Sequence, residues 1–118
     1  MVEGLRGAKD ARGRDIDLGA IGGLLDRIVR AWHPPGIWLF GSRARGYGQP
    51  WSDWDLLVVV PDDASDVDDP LVGWRLQKES GVRSDVVLCR AADFHDARDT
   101  PNTIAYEAAH DGVLIYER

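Results

Sequence analysis

The sequence is poor in cysteine, with one residue, Cys89, in 118 positions. That excludes an internal disulfide framework and any cysteine-based zinc cluster. Long hydrophobic runs are also lacking. The longest, Leu56 to Val60, falls far short of the ~20 residues a membrane span requires, and no charged-then-apolar signal opens the chain. Nor is there a surplus of positive charge: 14 Lys and Arg face 20 Asp and Glu, for a net charge of −6. The broad basic face needed for nonspecific nucleic-acid binding is missing. His33, His95 and His110 are scattered without metal-ligand spacing. The expectation is a soluble cytoplasmic domain with no membrane attachment. The length suits one domain with one core, and 44% hydrophobic residues argue against disorder throughout.

The charge is unevenly divided. Residues 1–50 carry a net +3 and residues 51–118 a net −9. The arginines of the first part include Arg43 and Arg45, which follow Gly41-Ser42 directly. A small phosphate site built from a few placed arginines is compatible with an acidic chain.

Residues 1–16 are rich in Gly, Arg and Asp without a period and read as a flexible leader, with one domain over residues 17–118. Asp17 is positioned to cap a helix, and Ile21, Leu24, Leu25, Ile28, Val29 and Trp32 recur at helical spacing until Pro34-Pro35-Gly36 stops it. Residues 37–40 form a short apolar run suited to a strand buried on both faces. Arg43 to Gly46 predicts one helical turn, and residues 53–60 the strongest strand. Residues 62–69 form an acidic loop. Asp69-Pro70 predicts a helix start for a segment carrying Leu71, Trp74 and Leu76 and ending near Gly81. Residues 84–89 predict a third strand, 91–97 a short helix, and Thr100-Pro101 the cap of a last helix closed by Gly112. Residues 113–116 end the chain as a strand. The alternation predicts an α/β (α+β) architecture, a single mixed β-sheet packed with helices. Trp32, Trp38 and Trp74 read as core, and Cys89 as a small core residue.

Sixteen aspartates occur in the chain, so Asp-x-Asp pairs arise by chance about twice. Three are present: Asp15/Asp17, Asp53/Asp55 and Asp66/Asp68. Capping explains the first and a solvated loop the third. Asp53/Asp55 differs in opening an apolar strand, whose geometry sends residues i and i+2 to the same face. Two like charges there are costly unless a cation neutralises them or both flare into solvent. Asp85 also opens a strand. If the two strands are neighbours, three carboxylates meet at one sheet end, an oxygen-only ligand set suited to Mg²⁺.

Gly41-Ser42 lies where a strand gives way to a helical turn. Glycine there allows close approach of a phosphate, Ser42 adds a hydroxyl donor, and Arg43 and Arg45 add bidentate cations. The segment is not a Walker A loop, because Tyr47 stands where lysine is required, and no G-x-S-x-G elbow surrounds Ser42. Tyr47 and Trp51 flank the turn, where base stacking and loop packing are equally open.

Taken together, Gly41-Ser42-Arg43-Ala44-Arg45-Gly46 and Ser52-Asp53-Trp54-Asp55-Leu56-Leu57-Val58 closely resemble the signature of the DNA polymerase β-like nucleotidyltransferases. The length resembles their smallest branch, the minimal nucleotidyltransferases, as does the Ile104–Tyr116 segment. The resemblance implies that residues 17–118 are a nucleotidyltransferase domain. It further implies that Gly41 and Ser42 hold a nucleoside triphosphate, with Arg43 and Arg45 near the phosphates. Asp53 and Asp55 would bind two Mg²⁺ ions, and Asp85 would complete one metal site and help activate an acceptor hydroxyl. Trp54 is bulkier than the family's usual aliphatic residue and is expected to face the core.

Larger members of the family carry a second helical domain that binds the acceptor, and 118 residues leave no room for it. The resemblance therefore implies a partner: minimal nucleotidyltransferases of prokaryotes often pair with a HEPN toxin and act as its antitoxin, transferring AMP from ATP to a toxin tyrosine. A catalytically silent antitoxin that binds its partner by contact alone, and a small-molecule nucleotidyltransferase of the aminoglycoside-modifying type, are the alternatives.

Overall fold

The strongest strand of the sequence is the spine of the molecule. In the computed structural model, which describes residues 3–118, β2 (Trp54–Val60) runs in the middle of a four-stranded sheet. Its neighbours are β1 (Gly36–Phe40), β3 (Ser84–Arg90) and, beyond β1, β4 (Val113–Glu117), giving the order β3-β2-β1-β4. β1 pairs antiparallel with both β2 and β4, while β2 and β3 are parallel. A parallel pair needs a crossover, which is supplied by the acidic loop and helix α3 (Val72–Ser80). The result is the single mixed sheet with helices that the alternation predicts.

β2 divides its side chains between two cores, as period-2 geometry requires. Trp54, Leu56, Val58 and Val60 face a core built with Leu24, Leu25, Ile28 and Trp32 of α1 (Gly22–Trp32) and with Val72 and Leu76 of α3. Leu57 and Val59 face a second core with Phe40, with Phe94 of α4 (Ala91–Ala97), and with Ala105 and Ala108 of α5 (Ile104–Asp111). Burial on both faces explains the unbroken apolar run of residues 56–60. Asp55 lies on the α4/α5 side by the same alternation.

Several local signals act otherwise than the sequence suggests. Asp17 does cap, accepting the Gly19 N–H at 2.9 Å, but the turn it starts is 3₁₀ over Leu18–Ile21 before α1 begins. α1 ends at His33, left-handed at φ 46, because Pro34 disfavours a right-handed helical residue before it. The α5 cap is Thr103, whose hydroxyl accepts the Tyr106 N–H at 3.0 Å, and Thr100-Pro101 forms the preceding turn. Gly112 is not left-handed. It is needed for space, since a Cβ there would stand 2.6 Å from the Leu39 carbonyl oxygen. Trp74 is 57% exposed rather than core. Val72 and Leu76, four residues apart, take the inward face of α3, and Lys78 covers the outward Trp74 ring at 4.9 Å.

The segment read from sequence as a flexible leader has defined partners over residues 4–16; its first two residues lie outside the described residues. Leu5 bridges Tyr116 along the free edge of β4, with Arg6 N–H donating to the Ile115 carbonyl and Glu117 N–H to the Gly4 carbonyl. Ala8 is buried. Such short pairings leave no periodic trace in sequence. Among the described residues, no helix is long and apolar enough to cross a membrane.

Leu56 is fully buried between β1 and β3. Truncation of a core leucine costs about 2–5 kcal/mol. Leu56→Ala should therefore lower the unfolding free energy by about 2–5 kcal/mol in urea titration; a loss below about 1 kcal/mol would contradict its place at the centre of the sheet.

Candidate active site

The register of the sheet brings the singled-out carboxylates to one end. Asp55 is the direct partner of Asp85 across the parallel β2–β3 pair and of Phe40 across the antiparallel β1–β2 pair. Neighbouring strands lie about 4.7–4.9 Å apart and register partners share a face, so the Asp55 and Asp85 side chains issue from adjacent strands on the α4/α5 side. Asp53 lies just before β2 on an exposed segment, its carboxylate 3.3 Å from the Arg83 guanidinium. Among the described residues, no three His, Cys, Asp or Glu side chains form a ready metal-holding group: the structure brings Asp55 and Asp85 together and pairs Asp53 with Arg83.

Asp55 is the half-buried member of the set. Burial raises its pKa above the ordinary aspartate value, and the charges of Asp85, Asp53 and Glu107 push it further, while Arg45 alone opposes them. Glu107, on α5, is a fourth carboxylate that sequence reasoning missed. It pairs with Arg45 at 3.5 Å. Nothing local to α5 marks it, because its relation to Asp55 and Arg45 exists only after α5 packs across the sheet.

The Gly-Ser turn meets the carboxylates by direct contact. Helix α2 (Gly41–Arg45) starts immediately after Phe40, the register partner of Asp55. Gly41 has φ +75, and a Cβ on it would overlap the Asp55 carboxylate, lying 2.9 Å from Cγ. Glycine is therefore required twice, for a left-handed backbone and for the approach of Asp55. Ser42 sits in the first turn of α2, and its carbonyl accepts the N–H groups of Gly46 and Tyr47.

The two arginines diverge. Arg45 reaches the carboxylate side through Glu107. Arg43 stacks over the Trp54 ring at 4.1 Å, donates twice to the Ser52 carbonyl at 3.1 and 2.8 Å, and reaches the Pro50 carbonyl at 3.3 Å. Trp54 itself is buried in the α1/α3 core. Arg43 thus fixes the return of the 47–53 loop to β2. Ser52 Oγ accepts the Gln49 N–H at 2.8 Å and Ser52 N–H donates to the Gln49 carbonyl, closing a turn that holds Trp51 outward. Trp51 is 69% and Tyr47 67% exposed, so both rings lie largely in solvent.

Two solved structures share this fold. A candidate nucleotidyltransferase from Sulfolobus solfataricus superposes with a TM-score of 0.58 at 19% identity, over 86% of this chain and 80% of that one. One chain of a toxin–antitoxin structure with AMP-PNP gives a TM-score of 0.56 at 20% identity, over 87% and 75% respectively. No curated protein sequence matches the chain. The sequence model of one family, described as Polymerase beta, Nucleotidyltransferase, matches residues 28–118, a span that takes in the Gly-Ser turn and all four carboxylates. The chain belongs to the polymerase beta nucleotidyltransferase family.

Proposed function

We propose that this protein is a Mg²⁺-dependent nucleotidyltransferase that transfers AMP from ATP to a hydroxyl of a partner protein, acting as the antitoxin of a HEPN-type toxin. The observation that carries the reading is the contact of the Gly41 backbone with the Asp55 carboxylate, which joins a phosphate-type turn to a carboxylate pair in one register. The family supports nucleotidyl transfer. The shared fold with a toxin–antitoxin structure holding AMP-PNP supports the nucleotide and the partner. The HEPN type of that partner rests on the sequence resemblance.

The donor set fits the metal. Asp53, Asp55 and Asp85 offer only carboxylate oxygens, which suit Mg²⁺, and the mutual repulsion at Asp55 is of the kind a divalent cation relieves. These three residues would hold two Mg²⁺ ions, which supply charge neutralisation for the phosphates and lower the pKa of a bound hydroxyl. The chain's own groups do the rest. Gly41 and Ser42 seat the triphosphate, and Arg45 faces its charge. Asp85 orients the acceptor hydroxyl and receives its proton as that oxygen bonds to the α-phosphorus. The bond from the α-phosphorus to the pyrophosphate oxygen breaks, and pyrophosphate departs with the electron pair. Catalysis here is mainly positioning and compensation of charge.

An acid whose pKa is raised by folding weakens the fold as pH climbs from its unfolded value through its folded one. Asp55→Asn should accordingly raise the melting midpoint of the metal-free protein at pH 7 by a few degrees. That gain should vanish at a pH low enough to neutralise Asp55 in the wild type. Mg²⁺ with ATP should raise the wild-type midpoint and leave Asp55→Asn unmoved. A destabilised Asp55→Asn at pH 7 would refute the repulsion.

The activity is tested by incubating the protein with Mg²⁺, α-labelled ATP and the product of the adjacent gene. Label should pass to that protein and fall by at least about 10³-fold in Asp53→Ala/Asp55→Ala. Undiminished transfer in the double variant would overturn the metal assignment. Neutralisation of the partner without any label would establish a silent binding antitoxin instead.

A further inference from the structure

The family match begins at residue 28, yet the segment before it is built onto the candidate site. Residues 8–16 close into a loop centred on Asp10, whose side chain is only 9% exposed. The Asp10 carboxylate accepts the backbone N–H groups of Arg12 at 2.8 Å and Arg14 at 3.1 Å, and lies 3.4 Å from Arg14 Nε. Its own N–H donates to the Arg14 carbonyl, Gly13 N–H donates to the Asp10 carbonyl, and Lys9 pairs with Asp15 at 2.7 Å. Burial would raise the Asp10 pKa, but the Arg14 and Arg12 N–H groups and the Arg14 guanidinium hold it below the ordinary value. The loop is anchored at its base by buried Ala8, which accepts the Ile16 N–H at 2.9 Å.

The other side of this loop grips the end of α2. Ala11 N–H donates to the Ala44 carbonyl at 2.9 Å. Arg14 Nη2 and Arg12 Nη1 both donate to the Gly46 carbonyl, the latter at 3.5 Å. The Arg12 stem lies against Gly46, and its guanidinium sits 5.5 Å from the Tyr47 ring centre. A helix of five residues is too short to be stable alone, and its last carbonyls have no partners within it. The partners of Ala44 and Gly46 come from residues 11–14. Gly41, Ser42 and Arg45 all ride on this short element, so its tilt sets where they stand.

We propose that residues 8–16 are a positioning element of the nucleotide site, with Asp10, Arg12 and Arg14 as the positioning residues that hold α2, and through it the Gly41-Ser42 turn and Arg45, in register with Asp55. The proposal rests on the function proposed above. None of the three residues touches the phosphates; they act through the Ala44 and Gly46 carbonyls. A loop serving stability alone would lower the melting midpoint without changing how the turn binds nucleotide.

The test uses the full chain with Asp10→Ala, Arg14→Gln and Arg14→Lys, and with Arg6→Gln as control. Arg6 lies in the same segment, but its carboxylate partner is Glu117 on β4, away from α2. Calorimetric titration with ATP and Mg²⁺ should show affinity weakened about tenfold in Asp10→Ala and Arg14→Gln. Affinity should be largely restored in Arg14→Lys and unchanged in Arg6→Gln. Amide exchange at residues 44–47 should quicken about tenfold in the first two variants only. Folded variants that bind ATP as tightly as the wild type, or that leave exchange at 44–47 unchanged, would overturn the proposal. If Asp10→Ala does not fold, Arg12→Gln decides by the same two readouts, since it leaves the Asp10 loop closed. If the wild type itself binds no ATP, the proposed function fails, and the exchange measurement alone decides whether this loop fixes α2.

Discussion

The antiparallel pairing of β1 with β2 is the constraint on which the site depends. It sets Phe40 opposite Asp55, so the residue after Phe40 must emerge beside a carboxylate. Only glycine tolerates both that contact and the left-handed turn at Gly41. The Gly-Ser turn and the acidic pair are therefore not two motifs that happen to be close. They share one end of a single strand pairing, where β1 finishes and β2 begins, and a shift of one residue would send Asp55 to the opposite face. The parallel β2–β3 pairing extends the same register to Asp85.

This arrangement places like charges against a half-buried strand end, which is unfavourable for the fold. The rest of the sheet offsets it. β2 is buried on both faces from Leu56 to Val60, and the two cores flanking it hold the strand in place while its first residues carry Asp55. Arg45 reduces the repulsion from one side and is itself pinned by Glu107. Stability concentrated in the strand centre and strain at its mouth is the usual division between scaffold and site.

The short helix α2 is the least self-sufficient part of this machinery. Arg43 fastens the 47–53 loop to it by stacking on Trp54 and holding the Ser52 carbonyl, and the Asp10 loop fastens its C-terminal end. The four arginines around this helix thus divide by task. Arg12, Arg14 and Arg43 bind carbonyls of the chain, and Arg45 is the one of the four that faces Asp55 and Glu107.

The sequence by itself determined the main elements of the sheet and the family. An unbroken apolar run bounded by Asp53 and Pro61 dictates a buried strand, apolar residues at helical spacing dictate α1, and Gly41-Ser42 with Asp53, Asp55 and Asp85 identifies the family. These signals are local, because they arise from backbone geometry and side-chain alternation within a few residues. What only the tertiary structure decided is everything that depends on a partner far along the chain: that Asp85 lies in register with Asp55, that Glu107 joins them, that Arg43 and Arg45 point to different tasks, that Trp74 faces outward, and that residues 4–16 have a place on the fold. Each of these is fixed by packing and pairing between distant segments, and a single sequence carries no periodicity that records them.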